Sequence, residues 1–170
     1  MQRISVIGCP GAGKTRFCRD LSAALELPLI HLDRLYHDTH FDYKDNKDAW
    51  RAAVQELVAG DTWIIDGNYK STFDIRMPAS DTIIFLDYPT YVSAWRAVKR
   101  RIKLHGKLRP DMPANWRESL GWNFFTFILM FNRVDARRIR AMLQNYNQTK
   151  NVVILRSPRR GRAFLTQRAV

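Results

Sequence analysis

The feature that most constrains this chain is a phosphate-binding loop close to its first residue. Residues 8–15 read Gly-Cys-Pro-Gly-Ala-Gly-Lys-Thr, which fills every fixed position of the pattern G-x-x-x-x-G-K-[ST]. Residues 3–7 are mostly apolar and β-branched and predict a buried strand, while residues 15–27 have apolar residues at helical spacing. A strand, a glycine-rich turn and a helix N-terminus together form an anion site. The chain is therefore expected to bind a nucleoside triphosphate.

The loop pattern also predicts what its residues do. Backbone N–H groups would surround the phosphates, Lys14 would reach the β- and γ-phosphates, and the Thr15 hydroxyl would ligate Mg²⁺. The residues expected to contact the nucleotide in this loop are Gly8, Cys9, Pro10, Gly11, Ala12, Gly13, Lys14 and Thr15.

The rest of the chain alternates between predicted strands and helices. Strands are predicted at residues 27–32, 62–66, 81–87 and 151–155. Helices are predicted at residues 45–60, 89–105, 115–131 and 135–148, with a short basic helix at the end. Repeating β–α units whose strands are apolar on both sides predict a parallel sheet with helices on both faces. No linker or repeat interrupts this pattern, so residues 1–170 are interpreted as one three-layer α/β/α domain.

Acidic residues follow several of the predicted strands, at the edge where such sheets bind ligands. Asp66 and Asp87 both end apolar runs in the manner of a Walker-B acid, so each is a candidate for holding Mg²⁺. Asp66 is favoured, because Asp87 has an alternative role as the cap of the helix that begins near Pro89. Asp33 ends the second strand and is the candidate for orienting an acceptor hydroxyl or taking its proton. The alternative for Asp33 is an exposed turn residue.

The helix predicted over residues 89–105 is rich in arginine. Arg96 and Arg100 are four residues apart and share a face, and guanidinium groups stabilise the charge on a transferring phosphoryl group. Arg101 lies on a neighbouring face, where it could stack on a base. A segment bounded by glycine and proline follows and is interpreted as a short lid over about residues 105–120. A solvated basic face is the alternative interpretation of this cluster.

The charge and composition of the chain limit the classes of partner that are expected. The chain has 28 Lys+Arg and 16 Asp+Glu, a net charge of +12 that attracts nucleotides, nucleic acids or membrane headgroups. No recognised nucleic-acid-binding pattern accompanies this charge. The longest apolar run is too short to cross a bilayer, and no signal peptide is expected, because the first predicted strand begins almost at Met1. The two cysteines are expected to be reduced thiols in the cytoplasm.

Residues 31–42 are dense in histidine and carboxylates, but their spacing matches no zinc pattern. This segment is interpreted as a polar loop at the mouth of the acceptor site.

Three longer strings resemble a known family. Residues 28–33 (Pro-Leu-Ile-His-Leu-Asp), 60–69 (Gly-Asp-Thr-Trp-Ile-Ile-Asp-Gly-Asn-Tyr) and 109–112 (Arg-Pro-Asp-Met) are similar to those of the bacterial topology modulation proteins, a group that resembles adenylate kinase. The resemblance implies ATP as donor and the strand order 2-3-1-4-5. It also implies that adenine lies between Arg101 or Arg100 and the loop formed by Arg156, Ser157 and Pro158.

The chain departs from adenylate kinases on the acceptor side. Those enzymes follow the third strand with Asp-Gly-Phe-Pro-Arg, whereas Asn68, Tyr69 and Lys70 follow Asp66-Gly67 here. The AMP-binding region of those enzymes therefore does not transfer to this chain residue by residue. The residues expected to bind the acceptor are Asp33, Gly67, Asn68, Tyr69, Arg76 and Arg109.

Three functions stay open at this point. The first is a kinase that uses Mg-ATP and a nucleotide or small-molecule acceptor, with Lys14, Asp33, Arg96 and Arg100 as catalytic residues. The second is an NTP-dependent nucleic-acid binder or end-kinase, which the net charge favours. The third is a slow NTPase switch that signals to a protein partner. Fold resemblance alone does not assign a substrate.

Overall fold

The computed structural model describes residues 1–37, 46–104 and 122–168, and at positions 100, 101, 103, 104, 122–125 and 127 it describes the backbone only. The predicted lid with Arg109, and the part of the histidine-rich segment beyond His37, lie outside the described residues.

Five strands and eight helices make up the described part of the chain. The strands are β1 (Arg3–Gly8), β2 (Leu29–His31), β3 (Trp63–Asp66), β4 (Thr82–Leu86) and β5 (Asn151–Leu155). The helices are α1 (Lys14–Leu25), α2 (Leu32–Tyr36), α3 (Lys47–Val58), α4 (Phe73–Ala79), α5 (Thr90–Leu104), α6 (Trp122–Phe131), α7 (Asp135–Tyr146) and α8 (Pro158–Thr166). A 3₁₀ turn, Lys70–Thr72, precedes α4. No described helix has both the length and the apolar character needed to cross a membrane.

The strands form one parallel sheet in the order β2-β3-β1-β4-β5, which confirms the expected order. Val6 pairs with Asp66, His31 also pairs with Asp66, and Leu86 pairs with both Gly8 and Leu155. This register brings the carboxyl ends of all five strands to one edge, so the phosphate-binding loop and the residues that follow the other strands meet there.

Two apolar clusters support the sheet. The larger one joins β1, β4 and part of β3 to helices α1, α7 and α8, and it includes Ile64. The smaller one contains Leu32, Trp50, Val54, Trp63 and Ile65, which belong to α2, α3 and β3. Successive strand residues point to opposite faces, so β3 contributes to both clusters. The helices next to β2 therefore have a core of their own.

Two helices were not predicted. The strand expected over residues 27–32 is β2, which ends at His31, and α2 begins at the next residue, Leu32. α4 lies between β3 and β4 in the sequence. Helices of five and seven residues are too short to show a clear 3.6-residue period. Pro78, which lies inside α4, also suggests a break rather than a helix.

Gly67, the residue after β3, lies close to Leu32 in α2. It has φ of +151°, and a Cβ there would lie 2.9 Å from the Cβ of Leu32. We expect Gly67→Ala to lower the free energy of unfolding by about 2–4 kcal/mol, because both the backbone and Leu32 must shift. Urea denaturation measures this change.

Gly60→Ala is the matched control, since its added Cβ would meet nothing closer than 3.7 Å. We expect its free energy of unfolding to change by less than about 1 kcal/mol. Equal effects of the two substitutions would show that Gly67 is not a point of close packing.

Candidate functional site

The loop between β1 and α1 has the conformation of an anion site. Gly11 has φ of +83°, and a Cβ there would lie 2.5 Å from the carbonyl oxygen of Ser93 in α5. Gly13 occupies the N-cap position of α1, and it has no side chain that could accept from the free N–H groups in the first turn of that helix. The first amides of α1 are therefore available to a phosphate, which the positive end of the helix also favours.

Lys14 lies against the same loop. Its Nζ donates to the carbonyl oxygen of Gly8 at 2.9 Å and to that of Cys9 at 3.3 Å. The positive charge predicted to bind the β- and γ-phosphates is thus held at the loop that would carry them.

Asp66 forms the centre of a polar cluster behind the loop. Its Oδ2 accepts a hydrogen bond from the Thr15 hydroxyl at 3.0 Å and lies 3.1 Å from Nδ1 of His31. The other oxygen, Oδ1, is buried and has no hydrogen-bond partner among the described residues. A buried carboxylate oxygen without a partner fits a hard cation such as Mg²⁺.

The described residues do not form a complete metal site without a nucleotide. Within them, no group of three or more His, Cys, Asp or Glu side chains is placed to hold a metal ion. Thr15 and Asp66 are therefore suited to Mg²⁺ that also binds phosphate oxygens and water, as Mg²⁺ commonly does.

Asp87, the second acid considered for Mg²⁺, is already engaged. Its Oδ2 and Oδ1 accept from Nε and Nη2 of Arg140 in α7 at 2.8 and 2.7 Å. α5 begins three residues later, at Thr90. The structure thus gives Asp87 an ion pair with Arg140 instead of the predicted helix cap.

Asp33 and Tyr69 meet on the other side of the site. Asp33 lies in the first turn of α2 and is exposed, and its carboxylate interacts electrostatically with the phenol of Tyr69. Burial, followed by the charge of Asp33, raises the pKa of Tyr69 well above its usual range. The phenol therefore keeps its proton beside the Asp33 carboxylate.

Gly67 and Asn68 lie in the sequence between Asp66, which faces the phosphate-binding loop, and Tyr69, which faces Asp33. The Asn68 side chain accepts from the Gly8 amide at 2.9 Å and donates to the Gly8 carbonyl oxygen at 2.6 Å. Gly67 packs against Leu32. Both residues were expected to bind the acceptor, but the contacts described here are to the phosphate-binding loop and to α2.

Arg76 is fully buried. Its Nε donates to the Thr72 hydroxyl at 3.1 Å and its Nη2 to the Tyr69 carbonyl oxygen at 3.4 Å. Burial lowers its pKa to about 10, against the opposing effect of Asp66. At neutral pH it is a buried cation that supports the turn at Tyr69, and the direct acceptor contact predicted for it would require exposure that this conformation does not give.

Among the lid-helix arginines, Arg96 reaches the loop. Its Nη1 donates to the Ala12 carbonyl oxygen at 2.5 Å, and its guanidinium carbon lies 5.8 Å from the centre of the Tyr88 ring. The side chains of Arg100 and Arg101 lie outside the described residues. The predicted catalytic and adenine-binding roles of these two arginines therefore remain predictions.

The predicted adenine loop follows β5. Arg156 is exposed, Ser157 caps α8 by accepting from the Arg160 amide at 3.3 Å, and Pro158 is the first residue of α8. The pairing of Leu155 with Leu86 puts this loop at the same edge of the sheet as the phosphate-binding loop.

Two further pairs of contacting residues in the site were not anticipated. His31 contacts Asp66, and its pairing with Asp66 in the sheet is the signal that could have predicted this. Asp135, buried at the start of α7, forms an ion pair with Lys70. Its charge also contributes to raising the pKa of Cys9 in the phosphate-binding loop. Burial raises the pKa of Cys9 to about 11 and that of Cys18 well above its usual value, so both remain thiols.

Solved structures of known proteins share this architecture. A shikimate kinase from Acinetobacter baumannii superposes with a TM-score of 0.62 at 14% identity, over 98% of this chain and 90% of that chain. The chain has a P-loop kinase-like fold. A shikimate kinase from Aquifex aeolicus gives 0.58 at 14% identity, over 97% of this chain and 92% of that chain. A gluconokinase from Sinorhizobium meliloti superposes with a TM-score of 0.54 at 19% identity, over 99% of this chain and 93% of that chain.

No protein-family model matches the chain, and no curated protein has a matching sequence. At identities this low, the structural likeness establishes the fold and leaves the acceptor open.

Proposed function

We propose that this protein is an ATP-dependent phosphotransferase that transfers the γ-phosphoryl group of Mg-ATP to a small acceptor. The observation that carries the proposal is the contact of Thr15 with Asp66 directly behind a phosphate-binding loop that also holds Lys14. The similar folds belong to proteins named for small hydroxylated acids, shikimate and gluconate, which supports a small acceptor.

On the donor side, the loop amides and Lys14 bind the phosphates, and Thr15 and Asp66 would hold Mg²⁺. When bound, Mg²⁺ neutralises charge on the phosphate oxygens. Arg96, which already contacts the loop at Ala12, together with Arg100 would stabilise the charge of the transferring group. Arg101 and the loop Arg156, Ser157 and Pro158 would hold the adenine.

On the acceptor side, Asp33 is the residue that we propose to meet the acceptor, because it is exposed at the carboxyl edge of the sheet. Tyr69 contacts Asp33, and we assign Gly67, Asn68 and Arg76 a supporting role, since their contacts are internal. Arg109 remains a proposed acceptor ligand from the predicted lid.

The family that we propose for the chain is that of the bacterial topology modulation proteins. The strings at residues 60–69 and 109–112 support this, and the first of them contains Asp66 and Tyr69. The proposed use of ATP and the two free cysteines, Cys9 and Cys18, support a cytoplasmic location.

A nucleic-acid substrate is the second candidate, and the uneven charge favours it. Positions 88–170 contain 18 of the 28 Lys and Arg residues but 3 of the 16 Asp and Glu residues. If this surface binds nucleic acid, its affinity for an oligonucleotide must fall steeply with salt, because each phosphate contact releases counterions. An affinity that does not change with salt would exclude it.

The test of the kinase proposal is ADP release from Mg-ATP against a panel of acceptors, with Lys14→Ala as the blank. The panel contains nucleosides, nucleoside monophosphates, small hydroxylated acids and 5′-hydroxyl oligonucleotides. We expect one class to stimulate ADP release strongly in the wild type and not in the blank. Tight ATP binding without stimulation by any class would instead favour a nucleotide switch.

A further inference from the structure

Most of the described cations on the acceptor side are already ion-paired or buried within the protein. Arg51 in α3 binds both carboxylate oxygens of Asp74, with Nη1–Oδ1 3.0 Å and Nη2–Oδ2 2.6 Å. Lys70 forms its ion pair with Asp135, and Arg76 has no exposed surface. On α2, α3, α4 and the turn before α4, the described cations that remain are Arg34 and Lys47, both on the exposed surface. Arg34 directly follows Asp33, and adjacent helical residues do not face each other.

In the part of the site that the structure describes, this distribution of charge suits a hydroxyl group better than a phosphate. A bound monophosphate is held by several charge-assisted hydrogen bonds from Arg or Lys. The described residues around Asp33 offer instead a carboxylate, which accepts hydrogen bonds from hydroxyl groups and repels phosphate oxygens.

A carboxylate at this position also has a chemical role that only one kind of acceptor needs. An alcohol keeps its proton at neutral pH and must lose it when its oxygen becomes bonded to phosphorus. A phosphate monoester has a second pKa of about 6, so its oxygens are already ionised at pH 7. A general base therefore contributes to phosphorylation of an alcohol and not to that of a monophosphate.

Tyr69 holds this carboxylate from a fixed position. Its carbonyl oxygen accepts from the Thr72 amide at 3.0 Å, the Thr72 hydroxyl at 2.9 Å and Nη2 of Arg76 at 3.4 Å. Its ring lies 4.9 Å from the rings of both Tyr36 and Trp50. With backbone and ring both held, the phenol that contacts Asp33 is fixed in direction.

We propose that the acceptor is a small alcohol whose reacting hydroxyl gives its proton to Asp33, with Tyr69 as the residue that positions Asp33. The proposal rests on the phosphotransferase function proposed above. The hydroxyl oxygen forms a bond to the γ-phosphorus, and its proton passes to the Asp33 carboxylate. The bond between the γ-phosphorus and the β–γ bridging oxygen breaks, and ADP leaves with that electron pair.

The first test uses matched acceptors and identifies the bond that forms. Adenosine, cytidine, gluconate and shikimate are compared with AMP and CMP, and the product is examined by phosphorus NMR. We expect stimulation of ADP release by an alcohol and a phosphate ester as product. A phosphoanhydride product would overturn the alcohol proposal and leave the phosphotransferase function intact. If no acceptor stimulates ADP release, the phosphotransferase function fails and the alcohol proposal fails with it.

The second test measures kcat and KM of three variants with the alcohol identified above. We expect Asp33→Asn to lower kcat by about a hundredfold or more and Tyr69→Phe to lower it by about tenfold, with KM for ATP within about twofold of wild type. Tyr36→Phe is the matched control, because it removes a phenol from the same aromatic cluster, and we expect kcat within about twofold of wild type.

Equal kcat values for Tyr69→Phe and Tyr36→Phe would overturn the role of Tyr69. An unchanged kcat in Asp33→Asn would overturn the role of Asp33.

Discussion

Replacing Lys14 with methionine is expected to lower kcat/KM for ATP by about a thousandfold, the scale on which cationic side chains act in phosphoryl transfer. Methionine keeps the length of the side chain and removes its charge. The substitution also removes the two hydrogen bonds from Nζ to Gly8 and Cys9, each of which contributes about 1 kcal/mol to stability. We therefore expect a small decrease in melting temperature beside a large loss of turnover.

Arg16→Met is the matched control for that experiment. Arg16 lies two residues further along α1, and its side chain is 89% exposed, so the substitution removes the same charge from the same helix. ADP release and ATP binding by calorimetry are measured for both variants. If Lys14→Met turns over ATP as rapidly as Arg16→Met does, the phosphate-binding loop is not the nucleotide site.

The second large effect distinguishes the roles of Asp66, at the end of β3, and Asp87, directly after β4. Asp66→Asn is expected to lower Mg²⁺-dependent turnover by about a thousandfold and to raise the Mg²⁺ concentration required, because it removes the charge beside Thr15. Titration of turnover with Mg²⁺ measures this effect. Circular dichroism checks that the variant is folded.

Asp87→Asn is its counterpart and should act on stability. It breaks the ion pair with Arg140 and leaves the Arg140 guanidinium, 43% of whose side chain is exposed, without a charged partner. Partial exposure weakens such a pair, so we expect the free energy of unfolding to fall by about 1–3 kcal/mol, with the Mg²⁺ requirement unchanged. The reverse pattern, with Mg²⁺ dependence altered in Asp87→Asn alone, would assign the metal to Asp87.

Most of the sheet was predictable from the sequence, for a physical reason. Most of the strands are short runs rich in β-branched residues, and the loop that ends in Lys14 and Thr15 has a pattern typical of a strand–turn–helix. α2 and α4 were not predictable, because they are stabilised by packing against β3 and α3 and not by a periodic pattern of their own. Tertiary contacts determined these two helices where local signals were weak.

The site was predictable to the extent that it depends on strand ends. Thr15 and Asp66, which were expected to share a metal, lie 3.0 Å apart because β1 and β3 are neighbours in register. The ion pairs Asp87–Arg140 and Lys70–Asp135 join residues 53 and 65 positions apart, and no sequence pattern links such partners. The function expected of Asn68 ignored its hydrogen bonds to Gly8, 60 positions away, for the same reason. The function expected of Arg76 ignored its burial, which depends on tertiary packing.

The second apolar cluster has a consequence for how a protein of this kind can change its substrate. α2 and α3, which carry the residues beside Asp33, pack on Trp63 and Ile65, whereas the phosphate-binding loop rests on the larger cluster with Ile64. Substitutions that reshape α2 and α3 are therefore largely separated from the packing that supports the loop and Lys14. The acceptor specificity can therefore change during evolution while the donor site is retained.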